Sequence, residues 1–154
     1  MGEGDEGVLE PLDYANERSS VSYLEDLQRV MAEYANYRKR SLRDIEGARA
    51  KGRSDVLLKL IEVRDNVKLF EDNSGDLFSK SIGERIDNVL SSFGVVCYGS
   101  VGDEFDYNLH DAVDAVDDDE HADRLVKVLE SGYYFEGDVL RICKVVVGRR
   151  GHEV

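Results

Sequence analysis

The chain has 154 residues, of which 33 are acidic and 20 basic, giving a formal charge of −13. That balance excludes a general nucleic-acid surface, which needs clustered cations to displace counterions, and it opposes adsorption to anionic lipid. No run of about 18 apolar residues occurs, so no membrane-spanning helix is expected. The chain reads as a cytoplasmic protein whose partner is a basic or mixed-charge protein.

Residues 1–19 carry three glycines, six acids and the only proline, Pro11. They hold no apolar core segment of a signal peptide and too little apolar surface to offset ordering entropy, so a mobile acidic tail is expected. From Ser20 to about Asn73 there is no proline and little turn chemistry. Ser20 or Ser22 suits a helix cap, with Glu25 or Asp26 in the first turn. Apolar side chains recur at Leu24, Leu27, Met31 and Tyr34, then at Ile45 and Ala48, in steps of three and four. A second stretch runs through Val56, Leu57, Leu60, Ile61, Val63 and Val67.

The seam is narrow and the other faces are charged, which predicts a partner helix. About fifty helical residues would span about 75–80 Å, too long for a compact domain of this size, so a homodimer is the economical reading. Gly47 and Gly52 mark the weakest part, each costing about 1 kcal/mol relative to alanine in a helix interior. Asn73-Ser74-Gly75-Asp76 reads as a turn. Leu77, Phe78, Ile82, Ile86, Val89, Leu90 and Phe93 then describe a second amphipathic helix that stops at Gly94. Two chains would combine these shorter helices into a four-helix bundle.

After Gly94 the pattern changes to short β-branched and aromatic runs separated by Gly or Asp. Val95–Tyr98, His110–Val116, Leu125–Leu129, Tyr133–Phe135, Val139–Ile142 and Val145–Val147 predict about six strands. The expected fold class is therefore α+β, with a long paired, coiled-coil-like helix, a short bundle helix and a small C-terminal all-β domain. Its segments are a tail over 1–19, helices over 20–93, a β domain over 94–149 and a loose end over 150–154.

Little here points to catalysis, and no catalytic residue, metal or cofactor is expected. Cys97 and Cys143 lie in apolar runs without metal-ligand spacing and read as buried thiols in a reducing compartment. Asp117-Asp118-Asp119-Glu120 lacks the alternating ligands and central glycine of a calcium loop and reads as a solvated turn. His110, beside a strand, reads as a hydrogen-bonded structural residue. Neither GxxxxGK[ST] nor GxGxxG occurs, so any nucleotide that matters belongs to another protein. Arg38-Lys39-Arg40 with Arg43 is the one dense basic segment, and its side chains project in different directions around a helix.

Four stretches, in order, resemble the GrpE family. Ala32-Glu33-Tyr34-Ala35-Asn36-Tyr37-Arg38-Lys39-Arg40 is similar to an "AEFENYRKR"-like segment, and Leu60 to Val67 resembles "LLPVLDNL". Gly102 to Val113, which includes Phe105-Asp106-Tyr107-Asn108-Leu109-His110, resembles "GxxFDPNxHEAV". Gly132-Tyr133 with Gly137-Asp138-Val139-Leu140-Arg141 and Val145-Val146-Val147 resembles "GYxxxGxVLRPAxVxV".

The resemblance implies a non-enzymatic, dimeric nucleotide-exchange factor. Such a factor binds the nucleotide-binding domain of a DnaK-type chaperone, opens its cleft and releases ADP. It further implies that Arg38, Phe105, Tyr107 and Leu129 meet the chaperone. Pairing would fall to Leu24, Leu27, Met31, Tyr34, Ile45, Leu60, Val67, Ile82, Ile86, Val89 and Phe93. Tyr107 and Glu62 stand where the family usually has proline, Ile142-Cys143 replaces Pro-Ala, and Gly47, Leu69 and Asp72 do not match family contact positions in chemistry. These departures shift the expected contacts toward the β domain. The competing readings are a coiled-coil adaptor whose β domain binds an unrelated protein and, more remotely, a small hydrolase using His110 or a cysteine.

Overall fold

The computed structural model describes residues 11–151, with side chains from residue 16 onward. A boundary between two compact units falls after Arg49. Helix α1 (Pro11–Ser74) crosses that boundary, and α2 (Leu77–Ser92) follows it. Then come β1 (Val95–Tyr98), β2 (His110–Asp117), β3 (Leu125–Glu130), β4 (Gly132–Phe135), β5 (Asp138–Arg141) and β6 (Cys143–Arg149). The α+β class follows directly, and each predicted strand has a counterpart.

Helix α1 starts at Pro11 rather than at Ser20, so residues 11–19 of the expected tail are helical. Proline's fixed φ and missing N–H suit a first helical turn, where that N–H would have no intrahelical acceptor. Residues 1–10 and 152–154 lie outside the described residues. In the first unit no residue from 16 to 49 is buried. Leu24 and Leu27 are each 55% exposed and Met31 and Tyr34 each 63%.

The second unit begins with the rest of α1. Asp76 caps α2 from an extended backbone, and its carboxylate accepts the Phe78 N–H at 3.1 Å. Phe93 closes the helix, and Gly94 follows at φ +80°, the left-handed stop that glycine takes without strain. Arg64 ties the two helices together, with Nε 2.8 Å and Nη2 3.0 Å from the two oxygens of Asp87 and Nη1 3.3 Å from Glu71. The Asp87 hydrogen bonds hold the Arg64 guanidinium above its ordinary pKa.

The strands form two sheets. One has the order β1-β4-β5 and is antiparallel; the other has the order β2-β6-β3, with β2 parallel and β3 antiparallel to β6. Two cores correspond to them. Leu57 and Ile61 from α1, Leu90 from α2, Val95 from β1, and Tyr133 and Phe135 from β4 form the first, with Leu60, Ile86 and Leu140 packed around it. Leu125, Cys143 and Val145 form the second, each 0% exposed, flanked by Tyr98, Phe105, Val128 and Val147. Each side chain of this kind contributes about 1.5–3 kcal/mol by leaving water.

The expectation of two buried thiols holds for one of them. Cys143 is buried on the central strand β6, and burial pushes its thiol pKa up. Cys97 is exposed. It lies on β1, the edge strand of the first sheet, and opens on a cleft of about 200 Å³ lined also by Arg64, Asp65, Asp87 and Tyr133. An edge strand beside an open cleft leaves the side chain uncovered, so the apolar run around Cys97 does not bury it.

Candidate functional site

A surface loop, residues 99–109, joins β1 to β2 and carries the sequence's aromatic signature. Phe105 is half-buried and packs on the second core, its N–H donating to Asp123 O at 3.0 Å. Two residues on, Tyr107 is 80% exposed. The turn holding it is built by Asp106, whose carboxylate accepts the Asn108 N–H at 2.8 Å and whose carbonyl accepts N–H groups from Leu109 at 3.0 Å and His110 at 2.8 Å. A rigid backbone thus presents a large aromatic surface at little conformational cost.

Phe105 and Tyr107 line one groove of about 560 Å³, together with Tyr98, His110 and Tyr134. Leu129, 44% exposed on β3, lines a different cleft of about 340 Å³ with Asp65, Lys68, Leu69 and Asp72 of α1. The structure therefore brings two of the expected contact residues together and sets the third in a second cleft, beside the Leu69 and Asp72 positions that depart in chemistry. Arg38 belongs to the first unit, where it is exposed on α1. A shallow depression lined by Glu33, Asn36, Tyr37 and Arg40 lies on the same stretch of helix.

The residues expected to pair helices separate into two groups. Leu24, Leu27, Met31, Tyr34 and Ile45 are exposed in the first unit, and Val89 and Phe93 are exposed in the second. Leu60, Val67, Ile82 and Ile86 are half-buried within the single chain, and Leu60 and Ile86 pack on the first core.

Sequence reasoning missed an ion pair that holds the first sheet to α1. Arg141 of β5 makes two hydrogen bonds to the Asp65 carboxylate, that from Nη2 at 3.0 Å, and Nε and Nη2 also donate to Ser131 O at 3.0 and 2.7 Å. Burial works against the charge, but the Asp65 carboxylate leaves the guanidinium with a raised pKa. Its plane also stands 5.3 Å from the Tyr133 ring centroid, a cation–π distance. Both partners lay inside the matched segments, but no spacing rule links residues 76 positions apart.

His110 is 6% exposed and hydrogen-bonded at Nδ1, as expected of a structural histidine. The acidic run leaves β2 at Asp117 and turns at Asp118, which accepts N–H groups from Glu120 and His121, each at 3.1 Å. Among the described residues no group of three or more His, Cys, Asp or Glu side chains is placed to hold a metal ion. No described helix is both long and apolar enough to cross a membrane.

A family model described as GrpE matches residues 10–149. A relative from Mycobacterium tuberculosis named "Protein GrpE" is 38% identical over 127 residues, which is 79% of this chain and 54% of that protein. Another of that name, from Bifidobacterium animalis subsp. lactis, is 36% identical over 141 residues, covering 90% of this chain and 61% of its own length. A third, from Corynebacterium glutamicum, is 36% identical over 127 residues, covering 80% and 57%. The chain thus spans a little over half the length of these curated relatives.

Proposed function

The chain belongs to the GrpE family, and from that premise we propose that it is a dimeric, cytoplasmic nucleotide-exchange factor for a DnaK-type chaperone. It binds the chaperone's nucleotide-binding domain through the β region and favours the conformer with an open nucleotide cleft. Binding the open conformer more tightly than the closed one shifts the population toward it. Reciprocity then requires that nucleotide affinity fall by the same factor, so ADP leaves and ATP can replace it. The chain needs no catalytic group for this, only differential affinity for two states of its partner.

The observation that carries the reading is Tyr107. An 80% exposed aromatic on a hydrogen-bonded turn, beside a half-buried Phe105, is a protein contact in search of a partner. A surface that wedges a cleft open must also be anchored, and the Asp65–Arg141 pair with the first core fixes the β1-β4-β5 sheet on α1. Arg38 and Leu129 supply further contacts in this reading, while the exposed apolar stripe from Leu24 to Ile45, with Val89 and Phe93, supplies the pairing surface of the dimer.

Stopped-flow release of labelled ADP from a DnaK-type chaperone tests the proposal directly. Saturating protein accelerates release, and no acceleration would sink the reading. Tyr107→Ala lowers the exchange rate about tenfold, the scale of an aromatic anchor, with thermal stability unchanged. Phe105→Ala is a poorer probe, because its ring also supports the second core.

A further inference from the structure

The groove beside Tyr107 has a built interior. Tyr98 donates from Oη to Leu109 O at 2.7 Å, and its ring lies on that of Tyr134 with centroids 4.4 Å apart. The Phe105 ring stands 5.9 Å from the His110 ring. These contacts fix three aromatic walls before anything binds.

His110 adds a polar group to them. Its Nδ1 lies 3.0 Å from Asp106 N and 3.1 Å from Asp106 O. That oxygen already accepts two backbone N–H groups, whereas the Asp106 N–H has no other acceptor among the described residues. Nδ1 is therefore the acceptor, and in the neutral ring the proton sits on Nε2. Nε2 has no protein partner among the described residues, yet none of their buried side-chain nitrogens or oxygens is left unsatisfied. The Nε2–H donor therefore keeps some access to solvent although His110 as a whole is buried, and His110 is one of the residues that line the groove.

Around this donor the groove is acidic. Asp103, Glu104 and Asp106 line it and are exposed. Among the described residues Arg124 is the cation paired with them, with Nη2 3.5 Å from Glu104 and Nη1 donating to Gly102 O at 2.8 Å. One cation against three carboxylates leaves the groove negative. An occupant that satisfies it offers a hydrogen-bond acceptor for Nε2–H, a cation for the carboxylates and a flat face for the rings. A peptide segment bearing arginine has all three: its main-chain carbonyl, its charge and its planar guanidinium.

We propose that this groove receives an arginine-bearing loop of the protein partner, the guanidinium over Tyr107 between Asp103 and Glu104 and a main-chain carbonyl on His110 Nε2–H. The proposal deepens the chaperone-docking reading and rests on it for the partner's identity. It can be tested without the chaperone, by titrating the full chain with acetyl-Gly-Arg-Gly-amide and with its neutral citrulline counterpart while following side-chain resonances of Tyr98, Phe105 and His110.

The arginine peptide shifts these resonances saturably, and the citrulline peptide binds about fivefold more weakly, the loss of a cation–π and charge contribution of modest size. Glu104→Gln, at an exposed position that leaves the fold intact, narrows that difference. Equal shifts from both peptides, or none from either, overturn the proposal. ADP release measured on the same preparation keeps the two readings apart. Exchange activity without arginine-selective shifts removes the groove proposal alone. Arginine-selective shifts without exchange keep the groove as an arginine site and remove the chaperone as its partner.

Discussion

The two units of this chain solve opposite problems with the same kind of residue. Between 16 and 49 the apolar side chains of α1 stand 49–73% exposed, from Ile45 to Tyr23. Between 50 and 151 similar side chains close into two cores, with Ile61, Leu125 and Val145 at 0% exposure. Helical periodicity is common to both, so periodicity alone does not tell whether a stripe is answered within the chain. A stripe followed by sheet-forming sequence can be covered by that sheet, whereas the stripe of the first unit has no such cover among the described residues.

Substitutions that affect one unit and spare the other test this difference. The largest expected effect is at Ile61, where alanine removes a fully buried side chain from the first core. Ile61→Ala should cost about 3 kcal/mol. In denaturant titrations followed by near-ultraviolet circular dichroism, tyrosine packing is lost early while the apparent mass by light scattering stays that of the parent protein. Asp65→Asn is next. It leaves the largely buried Arg141 guanidinium without its counter-charge and should cost about 2 kcal/mol, part of the penalty for an uncompensated charge because Ser131 O remains.

Leu27→Ser with Met31→Ser reverses the pattern. Both positions are more than half exposed, so the midpoint for the 50–151 unit stays put, while association by light scattering weakens about tenfold. A shifted midpoint with unchanged association would mean that the stripe is answered within the chain after all.

The smallest effect is expected at Asp118. Its carboxylate is held below the ordinary aspartate pKa, first by the His121 backbone N–H. A depressed folded pKa stabilises the turn above the unfolded value, and that support is lost as pH falls through the folded one. Amide protection factors at residues 118–123, taken against intrinsic exchange rates, should therefore fall in acid, and Asp118→Asn should remove that fall while leaving global stability unchanged.

Much of the architecture was legible in the sequence because local chemistry specifies it. The turn at Asn73–Asp76, the stop at Gly94 and the six β-branched runs each follow from residues a few positions apart. Strand order is different, since nothing within Val145–Val147 says that β6 lies between β2 and β3 or that its pairing with β2 is parallel. Cys97 was misread because an apolar run reports its own composition, not that the folded chain leaves it on an edge strand lining an open cleft. Among the candidate contacts, Phe105 and Tyr107 came from one short segment and do share a groove. Its other walls, Tyr98, His110 and Tyr134, belong to three strands that only the folded chain brings together.

Gly132 shows how narrow the tolerances of that assembly are. A Cβ there would lie 2.3 Å from Tyr98 Cζ, and Tyr98 is held by Leu109 and Tyr134. Even alanine at this one position would force the ring out of its place in the groove wall.

The strand order also imposes a schedule on synthesis. Because β6 is the middle strand of its sheet and the last to be made, β2 and β3 emerge from the ribosome with no sheet partner and wait for it. The helices and the β1-β4-β5 sheet, whose strands all precede residue 142, can assemble first. A chain in which β6 has not yet docked would carry the first core together with two strands whose edges are unpaired, the kind of exposed edge that invites pairing with another chain.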